Sequence, residues 1–297
     1  MTVEAESVRR SSEIEEATNL YLIHPVAARL TTLLAALRIK PNTVSLTGMA
    51  FGLLAAVCYY HFRDVRYTIA GFALMVAWHV LDGADGQLAR LTNAQSEYGK
   101  ILDGICDYVT YIAVYCALAL ALSRQGSNWI WLLTIAAGIC HALQAAAYEV
   151  QRQEYNYWGW GRASQALPDL NASADHGGAL WHRVFDTLYR GYVRMQYAVA
   201  GVAVEFYAKL ASVMASEPQQ AGVIRSRYRE AFAPAVRRWS LLSSNYRTAG
   251  IFVCALFRVP QVYFWFEIIG FSAIWIALLV GQQARYRTFL AGLVAQR

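Results

Sequence analysis

Long apolar runs separated by short polar breaks dominate this chain. Runs close to the ~20 residues needed to cross a bilayer recur at about Thr43–His61, Tyr67–Leu91, Tyr98–Leu122, Trp129–Tyr148, Leu241–Val259 and Tyr263–Gly281. They predict six transmembrane helices. The links at Phe62–Arg66 and Ser123–Asn128 are short, so the first four spans form a compact up-and-down set. Ahead of them, Ser12–Arg38 carries apolar residues at helical spacing, with Arg29, Arg38 and Lys40 toward the polar side. That pattern predicts an amphipathic helix lying in the membrane interface. Lys40-Pro41-Asn42-Thr43 breaks it, and Asn42 or Thr43 is placed to cap the next helix. Between Glu149 and Ser240 the chain turns polar and rich in Arg, Tyr and Trp. GWGRASQALPDLNASADHGG reads as an irregular loop, and the pattern from Leu180 to about Met214 as amphipathic helix. The expected fold is therefore all-α and polytopic. Its parts are an N-terminal interfacial segment (1–42), a membrane core (43–150), a cytoplasmic helical insert (151–240) and two last spans with a tail (241–297).

Composition supports a membrane protein. The chain has 297 residues, 57% hydrophobic and 15% charged, less charge than a soluble chain of this size carries. Its start, MTVEAESVRRSSEIEE, lacks the apolar core of a signal peptide. The net charge of +6 is mostly arginine. In so apolar a chain this points to anionic lipid and phosphorylated substrates rather than nucleic acid. Cys58, Cys106, Cys116, Cys140 and Cys254 fall in apolar runs with no C-x-x-C pair and read as free thiols, while the scattered histidines argue against zinc. Arg152, Arg162, Arg237, Arg238, Arg285 and Arg287 flank one side of the predicted spans; Arg63, Arg66, Arg124 and Arg258 flank the other. The positive-inside rule then puts both termini, the insert and the link between the second and third spans in the cytoplasm of an inner or plasma membrane protein.

That link contains the chemistry. LDGADGQLARLTNAQSEYGKILDGICD, from Leu81 to Asp107, sets Asp82, Asp85, Asp103 and Asp107 in an apolar region. Carboxylates there are costly unless a cation compensates them. Spacings of three and four residues put each pair on one helix face. The two helices are antiparallel neighbours, so all four carboxylates can converge near the cytoplasmic surface. Oxygen-only ligands suit Mg²⁺ or Mn²⁺ rather than zinc or copper. Four carboxylates suit two ions of the kind used in phosphoryl chemistry. Gly83, Gly86, Gly99 and Gly104 each cost a helix roughly 1 kcal/mol against alanine, which close approach of a ligand or backbone explains. Arg90 follows Gly86 by one turn and can hold a phosphate bidentately. A carboxylate-lined divalent cation transporter is the competing class. It explains the aspartates but leaves Gly86, Ala89, Arg90 and Gly99 without a role.

These residues fill every fixed place of D-x-x-D-G-x-x-A-R-x(8)-G-x-x-x-D-x-x-x-D, and the stretch resembles the CDP-alcohol phosphatidyltransferase family. Pro41-Asn42-Thr43-Val44-Ser45 is similar to the P-N-x-x-T/S element that precedes the first span in that family, which makes Asn42 a substrate-binding candidate. The resemblance implies a six-helix core, a homodimer, a CDP-linked donor (usually CDP-diacylglycerol) and release of CMP. It implies that Asp82, Asp85, Asp103 and Asp107 bind two Mg²⁺ or Mn²⁺ ions and that Asp107 is the general base. It further implies that Gly86, Ala89 and Gly99 line the cytidine pocket and that Arg90 meets the nucleotide phosphate or an adjacent carboxylate. Such an enzyme transfers a phosphatidyl group to a polar alcohol such as inositol, inositol phosphate or glycerol phosphate. Alternatively, it moves a phospho-alcohol from a soluble CDP-alcohol to a lipid. A phosphorylated acceptor needs further cations, for which Lys100, Arg152 and Arg247 are candidates. Arg247 lies in an apolar segment, where it serves that role, pairs with a carboxylate such as Glu267, or snorkels to the interface. The aromatic residues Tyr148, Tyr155, Tyr157, Trp158 and Trp160 read as an interfacial belt.

Overall fold

A computed structural model describes residues 13–166 and 180–294, apart from 125 and 127. The described residues are helical, with no strand among them. The α-helices are α1 (His24–Ala36), α2 (Pro41–Tyr60), α3 (Val65–Leu91), α4 (Glu97–Ser123), α5 (Trp129–Trp160), α6 (Leu180–Ala200), α7 (Val204–Ser216), α8 (Ala221–Trp239), α9 (Ser244–Leu256), α10 (Pro260–Trp265) and α11 (Ser272–Val294). A π-helical turn at Phe266–Phe271 joins α10 to α11. Five stretches are long and apolar enough to cross a membrane: α2, α3, Tyr98–Ser123 of α4, α5 and Pro260–Gly292. Arg190–Ala200 and Val204–Ser216, bent by 91° at their junction, make a sixth if they are one broken span. The protein is thus a multi-pass membrane protein.

The expected span at 241–259 differs. α9 has 13 residues, about 20 Å at 1.5 Å per residue, against a hydrocarbon core of about 30 Å. Local backbone explains its length. Ser243 is extended after a 3-10 turn at Ser240–Leu242, and Arg258 sits at φ 61°, a left-handed conformation that stops the helix.

The described residues form two units. The first comprises Met1–Cys140 and Ser244–Gly270. Within it, α2 packs along both α3 and α4. Glycine lets α2 come close. A Cβ at Gly52 would lie 2.5 Å from Cγ2 and Oγ1 of Thr110 on α4, and one at Gly48 would lie 3.4 Å from Trp78 and Leu81 on α3. α1 crosses α3, where Ala27 packs with Val44, Ala84 and Leu88 and Thr31 Oγ1 donates to Ala84 O at 3.2 Å. Tyr21, Leu22, Val26, Leu33 and Leu37 remain exposed. Neither Asn42 nor Thr43 caps α2. Lys40 is the N-cap without a side-chain bond, and Pro41 opens the helix at a position where its missing N–H costs nothing. Ser96 caps α4, its Oγ accepting from Gly99 N at 3.0 Å.

The second unit comprises His141–Ser243 and Phe271–Arg297. α5 runs on to Trp160 rather than stopping near Tyr148, because Val150, Gln151, Glu154 and Tyr155 continue a buried stripe at helical spacing. Gly161, at φ 72°, ends it. Arg225 Nη1 donates to the carbonyls of Tyr157 and Trp158 at 2.9 Å, satisfying two acceptors of the last turn. The aromatic residues expected as a belt partly build this unit's core. Tyr155 is buried, Trp158 stacks on Tyr207 at 5.3 Å, and Arg229 lies 3.9 Å from the centroid of the exposed Trp160 ring. α6 and α7 replace the single amphipathic helix expected over 180–214, broken at Gly201 with φ 62°. Most of the expected irregular loop, 167–179, lies outside the described residues.

Candidate active site

Asp82 and Asp85 sit near the end of α3, and Asp103 and Asp107 near the start of α4. Carboxylate oxygens of Asp82, Asp85 and Asp103 lie within 4.8 Å of one another. Asp85 is buried; the other two are half-buried. At that separation two like charges repel by about 3.5 kcal/mol at an effective dielectric of 20. Three carboxylates so close, supplied by two helices, form a site that a cation would stabilise. Their hard oxygen donors fit Mg²⁺, Mn²⁺ or Ca²⁺. The donor set thus agrees with the divalent metal expected here.

Asp107 is not part of that three-residue group. It lies one turn further along α4, half-buried. All four carboxylates belong to the first unit. α2 supplies a partner that the sequence did not single out: Ser45 Oγ donates to Asp85 Oδ2 and fixes that carboxylate. Only its place in the P-N-x-x-S element hinted at such a role.

The small residues have separable roles. A Cβ on Gly86 would lie 3.6 Å from Arg90 Nη1, so the guanidinium folds back over that glycine. A Cβ on Gly99 would meet Ser96 Oγ at 3.1 Å and Asn42 Oδ1 at 3.5 Å, bringing Asn42 of α2 beside the start of α4. Gly83 is a packing glycine against Ile23 and Ala27, whereas a Cβ on Gly104 would meet nothing within 4 Å. Ala89 is half-buried and Lys100 exposed.

The two arginines proposed for a phosphorylated acceptor are placed differently. Arg247 is fully buried, its Nε donating to both oxygens of Glu267 at 3.1 and 3.2 Å and its Nη2 to Oε1 at 3.0 Å. Tyr263 OH donates to Glu267 Oε2 at 2.7 Å. Of the three roles open to Arg247 in the sequence, this geometry supplies the pair. Arg152 belongs to the second unit, where it meets Glu149 at 2.8 Å.

Residues 38–169 match the family model described as CDP-alcohol phosphatidyltransferase. The chain is similar to a CDP-diacylglycerol–serine O-phosphatidyltransferase of Mycobacterium bovis, 31% identical over 120 residues, which are 40% of each chain. It is also similar to an archaetidylinositol phosphate synthase of Pyrococcus horikoshii, 35% identical over 92 residues, 31% of this chain and 47% of that one. The matches thus span less than half the length of these relatives. The matched segment contains all four aspartates, Asn42, Ser45 and Arg90, and excludes Arg247.

Proposed function

Since residues 38–169 match the family model of the CDP-alcohol phosphatidyltransferases, we propose that this protein moves a phosphatidyl group from CDP-diacylglycerol to the hydroxyl of a polar alcohol, releasing CMP. The convergence of Asp82, Asp85 and Asp103 from two helices within 4.8 Å carries this reading. These three residues, with Asp107, would hold one or two Mg²⁺ or Mn²⁺ ions. When bound, the metal neutralises the donor pyrophosphate and stabilises the departing CMP.

The chain's own residues do the rest. Ser45 keeps Asp85 oriented. Arg90, folded over Gly86, is placed to take a nucleotide phosphate through its guanidinium fork. Asp107 serves as general base. The acceptor oxygen bonds to the phosphatidyl phosphorus as its proton passes to Asp107, and the bond from that phosphorus to the CMP oxygen breaks. Gly86 lets Arg90 fold over it, and Gly99 lets Asn42 and Ser96 approach the start of α4.

Among acceptors, an alcohol without a phosphate group is favoured. Of the three candidate cations, Arg247 is engaged bidentately by Glu267 and Arg152 is paired with Glu149, which leaves the exposed Lys100 at the start of α4. The serine named in the Mycobacterium bovis relative is such an acceptor. A cytoplasm-facing site and a homodimeric assembly complete the proposal, the first from the arginine distribution and the second from the resemblance.

The test is CMP release from CDP-diacylglycerol with Mn²⁺ or Mg²⁺ against serine, inositol, inositol phosphate and glycerol phosphate. Serine should give the highest turnover. Asp107→Asn should lose turnover by about 100-fold or more, the usual scale of a general base, while keeping metal binding. Divalent ion uptake by proteoliposomes without CMP release would reverse the assignment in favour of a transporter.

A further inference from the structure

α3 and α4 carry the carboxylates, and neighbouring helices brace both of them. The distance between the two aspartate pairs therefore depends in part on those neighbours. α2 is one, through the close approaches at Gly48 and Gly52 and the Ser45 bond to Asp85. A second set of contacts runs to α9, which also packs on α3. Tyr111 OH donates to the carbonyl of Ser244, at the first residue of α9, at 2.7 Å. It also lies 3.1 Å from Thr248 Oγ1, and Thr248 Oγ1 lies 2.9 Å from His79 Nε2. The Trp78 ring meets the Tyr111 ring edge-on at 5.4 Å. Tyr111, Thr248 and His79 are all buried, at 7%, 2% and 6% exposure.

Counting hydrogens fixes the direction of this chain. The single Tyr111 proton goes to the Ser244 carbonyl, which can only accept. Thr248 must then donate to Tyr111, and His79 must donate to Thr248 from Nε2, with the tautomer assigned by the network. The three groups form one directed bridge, His79 to Thr248 to Tyr111 to Ser244. Its ends sit next to the aspartates. His79 precedes Asp82 by three residues and Tyr111 follows Asp107 by four, one turn away in each case.

We propose that Tyr111, Thr248 and His79 are positioning residues, a buried hydrogen-bonded bridge through α9 that fixes the spacing between the α3 and α4 carboxylate pairs and thereby sets divalent metal affinity. The inference rests on the reading of the aspartate cluster as a metal site. A metal held by ligands from two helices loses affinity when those helices are free to separate, because the ligands must be brought together at the moment of binding. The bridge keeps them at a fixed spacing in advance.

The experiment uses the full-length protein in lipid nanodiscs, with Mn²⁺ binding read by EPR and CMP release titrated against Mn²⁺ in parallel. Tyr111→Phe and Thr248→Val each remove one hydroxyl at nearly constant shape. Each should weaken Mn²⁺ binding about 10-fold and raise the Mn²⁺ needed for half-maximal turnover by the same factor. Turnover at saturating Mn²⁺ should stay near wild type. The double variant should be no weaker than the poorer single one, since both break one bridge. Thr248→Ser, which keeps the hydroxyl, should bind as wild type does. Unchanged Mn²⁺ affinity in both single variants, with a lowered melting temperature, would make the bridge a plain stabilising contact and overturn the proposal. Wild-type protein that binds Mn²⁺ without releasing CMP would overturn the transferase reading and leave the bridge testable by EPR. Wild-type protein that binds no Mn²⁺ would overturn both.

Discussion

Replacing Asp103 by Asn should make the metal-free protein more stable while abolishing its response to metal. Asp82, Asp85 and Asp103 form three like-charged pairs within 4.8 Å, and Asp103 takes part in two of them. Each pair costs about 3.5 kcal/mol at an effective dielectric of 20. Asp82 and Asp103 are only half-buried, and water screens charges there. We therefore expect a gain of about 2–4 kcal/mol in the metal-free state, well below the unscreened sum. For a chain of this size that corresponds to roughly 5–10 °C in Tm. Wild type should instead respond to Mn²⁺, gaining about 2.7 kcal/mol at a hundredfold excess over Kd. Thermal melts followed by tryptophan fluorescence, in EDTA and across a Mn²⁺ titration, read both effects. The two curves should cross, with Asp103→Asn melting higher in EDTA and wild type overtaking it as Mn²⁺ rises. If Asp103→Asn melts at or below wild type in EDTA and still shifts with Mn²⁺, the carboxylates are neither mutually repelling nor the metal ligands.

Two further substitutions address the scaffold. Gly52→Ala would put a Cβ 2.5 Å from the Thr110 side chain, so it should cost about 1–3 kcal/mol by overpacking; Thr110→Ala added to it should recover part of that loss in the same melt. Arg247→Met leaves Glu267 buried without its cation and should cost about 3–5 kcal/mol, whereas Arg247→Met with Glu267→Gln should be markedly less damaging. Loss of turnover for the double variant at normal stability would instead assign Arg247 to the substrate.

The site was legible to the extent that it is local. Spacings of three and four residues between aspartates survive any error in helix boundaries, and antiparallel neighbours joined by a short link bring such pairs together. The fixed offsets of Gly86, Ala89, Arg90 and Gly99 added chemistry to that geometry. What could not be read depends on contacts distant in sequence. Ser45 reaches Asp85 across 40 positions, and His79 reaches Thr248 across 169. No periodicity records which hydroxyl faces which carboxylate once helices have packed. The boundaries failed for a different reason. Hydropathy ends a span where polar residues begin, yet the helix of α5 continues because Gln151, Glu154 and Tyr155 are buried within the second unit. α9 ends early because Arg258 adopts a left-handed conformation that its residue type does not announce.

The first unit also shows why a charged cluster can exist in so apolar a protein. α2 takes close contacts with both aspartate-bearing helices, through glycines at 48 and 52 against α3 and α4, and Ser45 of the same helix holds Asp85. Holding the carboxylates together opposes several kcal/mol of repulsion. A hydrogen bond to a charged group such as Ser45 to Asp85 contributes about 1.5–3 kcal/mol, and a neutral one such as those of the α9 bridge about 1 kcal/mol. No single contact offsets the repulsion. The α2 interface and the bridge must act together, and losing either should be felt first in metal affinity, before the fold itself gives way.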